Sequence, residues 1–227
     1  MLDAAVESSF DPVVRTHPWS ASVDDPAARY VDFRRHPHLI RTTLEDFAPL
    51  SAEPAVQRFY EMLEWLNGPS SHLESNDCGL APFRRNRLAE VKYPRVTYGR
   101  LMVLARDLRL NVCERTVRRM VERLSEDLAM IDRGFRAGAV AVSRVPTLFL
   151  ELPARTRQDR LGHLLHIRFW AFGRDDRGTL RSLDRVVANI WSALRKLSRA
   201  VQRGMVGGRD GRSSASARPS RRDGRAR

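Results

Sequence analysis

The stretch LARDLRLNVCERTVRRMVERLSEDLAMIDRG, residues 104–134, decides the fold that the sequence predicts. Its middle part, NVCERTVRRMVERL at 111–124, carries four arginines in a segment with helical periodicity. Asn111 and Glu114 have the spacing of a helix N-cap and its N3 partner, so we expect a helix to begin at about residue 111. Apolar residues then recur at the spacing of one buried helix face, at Val117, Met120, Val121, Leu124 and Leu128.

A helix is predicted before this one and a β-hairpin after it. TYGRLMVLARDLRL, residues 97–110, opens with Thr97 as N-cap and places Leu101, Leu104, Ala105 and Leu108 on one face. After Gly134, the text AVAVSRVPTLFLEL contains two β-type runs, 139–143 and 147–152, around a turn at Arg144, Val145 and Pro146. RLAEVKY, residues 87–93, predicts a further short helix before Pro94. The predicted order is helix, turn, helix and hairpin.

This order and its residues resemble the winged helix-turn-helix family of DNA-binding proteins over residues 87–152. Leu104 and Ala105 match the supporting helix of that family. The other matches are Asn111, Val112 and Cys113 in the turn, Thr116 and Val117 in the recognition helix, and Met130, Ile131 and Arg133 before the wing. The chain departs from the pattern by about two extra residues between Ala105 and Thr116. The resemblance implies a mainly α fold with a small β-hairpin, an N-terminal helical segment and a long C-terminal helix.

The resemblance also implies a DNA-binding surface, because the recognition helix of that family enters the major groove. Arginine donates two parallel hydrogen bonds to guanine and also binds phosphates. The candidate DNA-binding residues are Arg115, Thr116, Arg118, Arg119 and Arg123 on the helix, with Arg136 and Arg144 in the hairpin. The alternative is a solvated face with salt bridges, in which Arg118 pairs with Glu114 and Glu122 at i, i+4 spacing.

The distribution of charge supports a polyanion partner. Residues 1–83 carry 6 basic and 13 acidic side chains, whereas residues 84–133 carry 13 and 7, residues 134–202 carry 13 and 5, and residues 203–227 carry 8 and 2. An acidic first third therefore precedes a basic remainder, within a net charge of +13. Only two basic residues are lysine. A preference for phosphate-binding arginine explains this ratio, and so does a GC-rich genome that encodes arginine often.

Five segments are predicted along the chain. They are an irregular arm at 1–37, an acidic helical segment and connector at 38–86, the winged helix-turn-helix at 87–152, C-terminal helices at 153–202 and a disordered basic tail at 203–227. Helices are expected at 39–47 and 54–66 in the acidic segment, which is a candidate for binding a ligand or another protein. The tail is expected either to add contacts with phosphates or to have no dedicated role.

The C-terminal helix, predicted at 179–201, carries an apolar seam that alternates by three and four residues. Its members are Leu180, Leu183, Val187, Ile190, Leu194, Leu197 and Val201. The apolar face is too wide for a free two-stranded coil, which favours a helical bundle or a groove in a partner. We expect a homodimer through this seam, and the alternative is packing onto the protein's own domain.

Catalysis, cofactors and a metal site are not expected. The sequence has neither a glycine-rich phosphate loop nor a nucleophile elbow. His36 and His38 flank a proline, and His163 and His166 have no nearby carboxylate, so neither pair predicts a metal site. Cys113, beside arginines, is a weaker candidate for a redox-sensing thiol. Two cysteines, no apolar run long enough to cross a membrane and no signal-like N-terminus predict a cytoplasmic, nucleoid-associated protein without a membrane partner.

The predicted function is sequence-specific binding of double-stranded DNA, as in a transcription regulator. A second prediction is a replication initiator or DNA-handling factor of a plasmid or other mobile element, because such proteins also use winged helices. A third is a protein-interaction module that binds no DNA.

Overall fold

The computed structural model describes residues 4–6, 14–18, 31–43, 50–88 and 91–204. Within these ranges the chain forms one β-sheet of seven strands and five α-helices. The strands are β1 (Ala4–Val6), β2 (Arg15–His17), β3 (Leu73–Leu80), β4 (Arg84–Arg85), β5 (Arg95–Ala105), β6 (Gly138–Phe149) and β7 (Leu161–Gly173). The helices are α1 (Ile40–Thr43), α2 (Pro54–Asn67), α3 (Leu108–Val112), α4 (Glu114–Ile131) and α5 (Asp176–Gln202), with 3-10 turns at Pro37–Leu39 and Gln158–Arg160.

The sheet is mixed and curls into a half-barrel. β6, β7, β5 and β3 are antiparallel neighbours in that order, and β4 extends the β3 side along β5. β1 and β2 both pair with β6 in parallel at the other edge. The two outer positions of the sheet are therefore occupied by β1 and β2 on one side and by β3 and β4 on the other.

The sheet has one face covered by long helices and one that is not covered by them. α2, α4 and α5 pack on the first face, where the core includes Leu101 and Val103 of β5, Ile167 and Phe169 of β7, and Ile190 of α5. A second, smaller cluster lies on the opposite side, formed by Met102, Leu104, Phe149, Leu152 and Leu164. We call this second side, which lies away from α2, α4 and α5, the far face. The short helix α3 packs against one end of it through Leu108 and Val112.

The prediction of a mainly α, winged helix-turn-helix fold is wrong, first because the predicted supporting helix is a strand. Residues 95–105 form β5 in the middle of the sheet, and only the five residues of α3 follow as helix. Leu101, Met102, Val103, Leu104 and Ala105 are all buried, because both faces of β5 are covered here. A strand buried on both faces loses the alternation of apolar and polar residues, and this run fits a helical spacing equally well.

The predicted wing is also absent, because residues 138–149 form one continuous strand rather than two arms around a turn. The antiparallel partner of β6 is β7, which lies in the region predicted to be helical at 153–202. Pro146 is tolerated within β6 because β1 pairs only with residues 140–142 and β2 only with 147–149. In the described sheet, one side of β6 is therefore unpaired at Pro146, where a missing N–H costs no ladder hydrogen bond.

The helices at 54–66 and at the C-terminus are confirmed. α2 starts at Pro54 and buries Val56, Phe59, Leu63 and Leu66. α1 covers the start of the helix expected at 39–47, and residues 44–49 lie outside the described residues. Around the helix expected at 87–93, the described residues 87, 88 and 91–93 are not helical.

The recognition-like helix exists as α4 and buries the predicted apolar face, but it begins at Glu114 with Cys113 as N-cap. Asn111 is instead part of α3, and its buried amide bonds both the N–H (2.9 Å) and the carbonyl (2.8 Å) of Ala105. Gly162 permits this arrangement, because a Cβ on Gly162 would collide with the backbone of Asn111. Asn111 therefore connects the end of β5 to α3 rather than capping α4.

The C-terminal seam packs against the protein's own core. Five of its residues are at most 2% exposed, namely Leu183, Val187, Ile190, Leu194 and Leu197, while Leu180 and Val201 are half-buried. α5 begins after Asp175, whose carboxylate accepts a hydrogen bond from the Gly178 amide. Packing onto the protein's own domain thus accounts for the apolar face. None of the described helices has the length and apolarity needed to cross a membrane.

Candidate nucleic-acid interface

The arginines predicted to bind DNA lie on the outward side of α4. Arg115, Arg118 and Arg123 are exposed, and Arg119 is half-buried. Thr116 instead faces the core and is only 3% exposed. A hydrogen bond from Thr116 lowers the pKa of the Cys113 thiol at the start of the helix. Thr116 is therefore not accessible to a DNA backbone in this structure.

Arg144 is not in a wing; it lies within β6, on the face of the sheet that α4 covers. It donates a hydrogen bond to Glu114, and this bond is the main reason that the pKa of Glu114 lies below its ordinary value. Arg118 Nη2 is 3.7 Å and His163 Nδ1 is 3.5 Å from the same carboxylate. The expected Glu114 to Arg118 pairing is thus present, and Arg144 serves to anchor the start of α4.

The predicted residues do not form one surface. Arg123 is bonded to Asp127 at 3.1 Å, on the next turn of α4. Arg136 is exposed in the segment after the C-terminus of α4, whereas Arg115 lies in its first turn. A helix of 18 residues spans about 27 Å. Arg136 and Arg115 are therefore separated by the length of α4 and cannot flank one contact site as a helix and its wing would.

The far face carries a different concentration of arginine, on the two central strands. Arg100 of β5 and Arg168 of β7 are direct partners in the antiparallel register. Alternation along each strand places both side chains on the far face, with Met102 and Leu164. Arg100 also bonds Asp77 of β3 at 3.1 Å. Like charges directly opposite one another destabilise a sheet, so this pair has an energetic cost that a bound anion would offset.

An aromatic pair lies beside the arginine pair. Tyr98 and Trp170 are the next register partners on the same face of β5 and β7. Tyr98 is 39% exposed and Trp170 is half-buried. Arg84 lies over the Tyr98 ring at 5.3 Å, and Arg168 lies over the Trp170 ring at 5.9 Å. The far face thus presents two aromatic rings next to two facing arginines. On each strand the ring and the arginine are two residues apart, so they occupy successive positions of the same face.

His166 shows that the far face is electropositive. It lies two residues before Arg168 on β7 and is the register partner of Met102 and Ser143. Burial, and then the positive charges of Arg168, Arg15 and Arg100, lower its pKa to about 4 despite the nearby Asp77. The imidazole is therefore neutral at physiological pH, because burial and then the surrounding arginines oppose its charged form.

At the end of the sheet next to α3, the two edges meet across the far face. His17 of β2 lies 3.5 Å from Glu74 of β3 and is hydrogen-bonded to Asn76 at 2.7 Å. Arg34 donates a 2.7 Å hydrogen bond to the other oxygen of Glu74. These contacts require the far face to be concave here, so that the arginine and aromatic pairs lie on a surface closed at one end.

Within the described parts of the chain, no group of three or more histidine, cysteine, aspartate or glutamate side chains is arranged to hold a metal ion. His36 and His38 are exposed in a 3-10 turn, and His163 and His166 point to opposite faces of β7.

The far-face residues were missed because β7 was interpreted as part of a helical region. Its sequence nevertheless has the period of two that is typical of a strand. Leu164, His166, Arg168 and Trp170 alternate with Leu165, Ile167, Phe169 and Ala171. That alternation would have placed His166, Arg168 and Trp170 correctly with respect to the core.

Comparison of the chain with models of known protein families, with curated proteins and with solved structures gives no match.

Proposed function

We propose that this protein binds single-stranded nucleic acid through the far face of its sheet. The observation that carries the proposal is the pair of adjacent cross-strand pairs, Arg100 with Arg168 and Tyr98 with Trp170. Proteins that bind single strands combine cationic side chains for the phosphates with aromatic rings on which bases stack. Antiparallel sheets that expose such residues are a common form of this surface.

The charge distribution supports a polyanion as the ligand. The net charge is +13, and the far face holds Arg15, Arg84, Arg100 and Arg168 against Asp77 and Glu74. A phosphate between Arg100 and Arg168 would convert a repulsive contact into two charge-assisted hydrogen bonds. The arrangement therefore favours an anionic ligand at this position.

The shape of the surface favours a single strand over a duplex. A duplex presents its bases only at groove edges, and the major groove admits a helix or a two-stranded ribbon. The far face is the broad side of a sheet and is concave at one end, so it cannot enter a groove. A single strand can instead place unpaired bases against Tyr98 and Trp170, with Arg84 and Arg168 moving alongside.

The proposal is tested by fluorescence anisotropy of labelled single-stranded DNA, single-stranded RNA and duplex DNA over a range of salt. We expect the Arg100→Ala/Arg168→Ala variant to reduce the slope of log K against log salt by about 1.4, the value for two lost phosphate contacts. Tyr98→Ala is expected to weaken binding by roughly fivefold or more without changing that slope.

The matched control is Arg115→Ala/Arg118→Ala, which removes two exposed arginines from α4 on the other side of the sheet. It should leave single-strand binding within about twofold of the wild type, since exposed charges far from a site contribute little. Equal losses in the control and the far-face variants would show that binding depends on net charge alone, and would contradict the proposed site.

The second candidate function is binding of duplex DNA through α4. The protein would then be a cytoplasmic transcription regulator or replication factor. The exposure of Arg115, Arg118 and Arg123 along one helix side favours it. This candidate predicts that Arg115→Ala/Arg118→Ala/Arg119→Ala loses duplex binding while the far-face variants keep it. Footprints at many promoters would then indicate regulation, and one footprint at repeats beside its own gene would indicate replication. If the protein is instead an interaction module that binds no DNA, neither the far-face variants nor the α4 variants should differ from the wild type in nucleic-acid binding.

A further inference from the structure

A buried amide nitrogen and a buried imidazole nitrogen on the far face have no hydrogen-bond partner among the residues the structure describes. They are Nδ2 of Asn76 and Nε2 of His166. Asn76 is only 9% exposed. Buried polar groups in folded proteins are nearly always hydrogen-bonded, and an unsatisfied donor costs free energy unless a ligand or water completes it. Two such atoms on one surface indicate a missing acceptor.

Both residues flank the same position of the central strand. Met102 of β5 is the register partner of His166 on one side and of Asp77 on the other, and Asn76 occupies the bulge just before Asp77. The Asn76 amide is oriented by His17, whose Nδ1 donates to Oδ1 at 2.7 Å. Its oxygen is therefore engaged toward β2, and its NH₂ group is left to donate elsewhere on the far face.

The charges around this position favour an anionic acceptor. Arg15, Arg100 and Arg168 act on His166 from β2, β5 and β7, and the opposing charge is Asp77 of β3. The neighbour on β6 is Ser143, which is uncharged. A neutral acceptor would satisfy the two nitrogen atoms, but the three arginines outweigh the one aspartate around His166 and therefore favour an anion.

We propose that the far face contains a seat for one phosphate group between Asn76 and His166, with Asn76 Nδ2 and the His166 ring as its hydrogen-bond donors. The phosphate can belong to a nucleic-acid backbone or be free in solution, and the proposal rests on the proposed function only for the first of these sources. Nearby arginines supply the field that retains the anion, as they do in other phosphate sites.

Occupation of the seat should be linked to uptake of a proton. In the free protein the pKa of His166 lies at about 4, because burial and the arginines oppose its charged form. A bound anion adds negative charge next to the ring and so raises that pKa. By linkage, the anion binds more tightly as the pH falls toward the raised pKa.

The test uses the full chain labelled on its histidine rings and NMR titration of each ring. The probes are sodium sulfate, a tetrahedral dianion that does not titrate in this range, with sodium chloride at equal ionic strength as its control. A single-stranded oligonucleotide and its uncharged methylphosphonate analogue form the other two arms. We expect sulfate and the normal oligonucleotide to raise the His166 pKa by more than about one unit, and chloride and the analogue to leave it unchanged. The exposed His72 serves as the internal reference.

Asn76→Asp is the most informative variant. It keeps the Oδ1 atom that accepts from His17 and replaces the NH₂ donor by a second oxygen, so that the group becomes a carboxylate. It should weaken sulfate binding by roughly tenfold or more. Gln158→Glu makes the same change of charge at an exposed site and should leave sulfate binding unchanged. His166→Gln, which retains a donor but cannot titrate, should bind sulfate without pH dependence and is available if Asn76→Asp does not fold.

The arms separate the two proposals. A response to sulfate without binding of the oligonucleotide supports the seat and contradicts the proposed function. A His166 response to the oligonucleotide alone supports a seat filled by backbone phosphate. Binding of the oligonucleotide with no change at His166 in any arm would overturn the seat while leaving the proposed function standing.

Discussion

His17 Nδ1 donates a 2.7 Å hydrogen bond to Asn76 Oδ1 and so joins β2, at one edge of the sheet, to β3, at the other. The second ring nitrogen of His17 lies 3.5 Å from Glu74, which is also bonded by Arg34. His17 is 3% and Glu74 is 3% exposed. The closure of the half-barrel at this end therefore depends on a buried polar cluster rather than on strand pairing.

Replacing His17 by phenylalanine should lower the free energy of unfolding by about 1–3 kcal/mol, the cost of leaving buried polar partners unsatisfied. The effect stays in this range because Arg34 still pairs with Glu74 and because phenylalanine keeps the contact of the ring with Phe149. Urea denaturation at about pH 6 measures it. An unchanged unfolding midpoint would show that the two edges do not need this link.

The stability contributed by His17 should be lost as the pH rises. Burial lowers the pKa of His17, but hydrogen bonds to Glu74 and Asn76 together with nearby carboxylates raise it above the ordinary 6.5. A histidine whose folded-state pKa is raised stabilises fully below about 6.5 and loses that contribution as the pH passes its folded-state pKa. The difference in stability between wild type and His17→Phe should therefore shrink as the pH rises above about 6.5. A difference that grows with pH would contradict the ion pair.

Asn111→Ala should destabilise the protein by about 2–4 kcal/mol, because it leaves both the N–H and the carbonyl of Ala105 without a partner at a buried position. The matched control is Arg109→Ala, an exposed site on the same short helix, where we expect a change within about 0.5 kcal/mol. Denaturant unfolding of the three proteins measures the difference. Similar stabilities for both variants would mean that packing alone connects β5 to α3.

Some elements of the fold could be predicted from the sequence because one side of each faces water. α2, α4 and α5 have one buried stripe and one polar side, so their apolar residues recur with the helical period. Residues 101–105 of β5 are buried on both faces, and no periodicity distinguishes such a strand from a buried helix segment. The pairing of β6 with β7 could not be predicted, because the turn predicted at Pro146 divides β6 into two strands that would pair with each other.

The candidate site was harder to predict than the fold, because it depends on register. Arg100 and Arg168 lie 68 residues apart in sequence and become neighbours only when β5 and β7 pair. On α4, by contrast, the arginines are close in sequence, so the sequence alone shows their grouping. Charge clustering along the chain therefore indicates α4, whereas the arginines of the far face come together only in the folded sheet.

The core position of Ile190 leads to a prediction that separates the two interpretations of the C-terminal seam. Ile190 is 0% exposed within the protomer. Ile190→Ala should lower the free energy of unfolding by about 2–5 kcal/mol, whereas the exposed Ser192→Ala should change it by less than about 0.5 kcal/mol. Sedimentation and thermal melting measure both properties. A variant that remains as stable as wild type but dissociates from a dimer into monomers would show that the seam is an intermolecular interface.

The charge of Arg168 should control the pKa of His166 and, through it, the stability of the protein in acid. Burial is the main cause of the low pKa of about 4, and Arg168 is the largest charge contribution. A histidine with a lowered folded-state pKa is neutral when folded but protonates when unfolded, so stability is lost as the pH falls from about 6.5 to about 4. Arg168→Gln should raise the His166 pKa, while burial keeps it below 6.5, and should reduce the loss of stability in acid.

Arg168→Lys is the matched control. It keeps the charge and should leave both the His166 pKa and the dependence of stability on acid pH near those of wild type. NMR titration of His166 and urea unfolding between about pH 4 and pH 7 provide the two measurements. An equal pKa in all three proteins would show that Arg168 does not contribute to the shift.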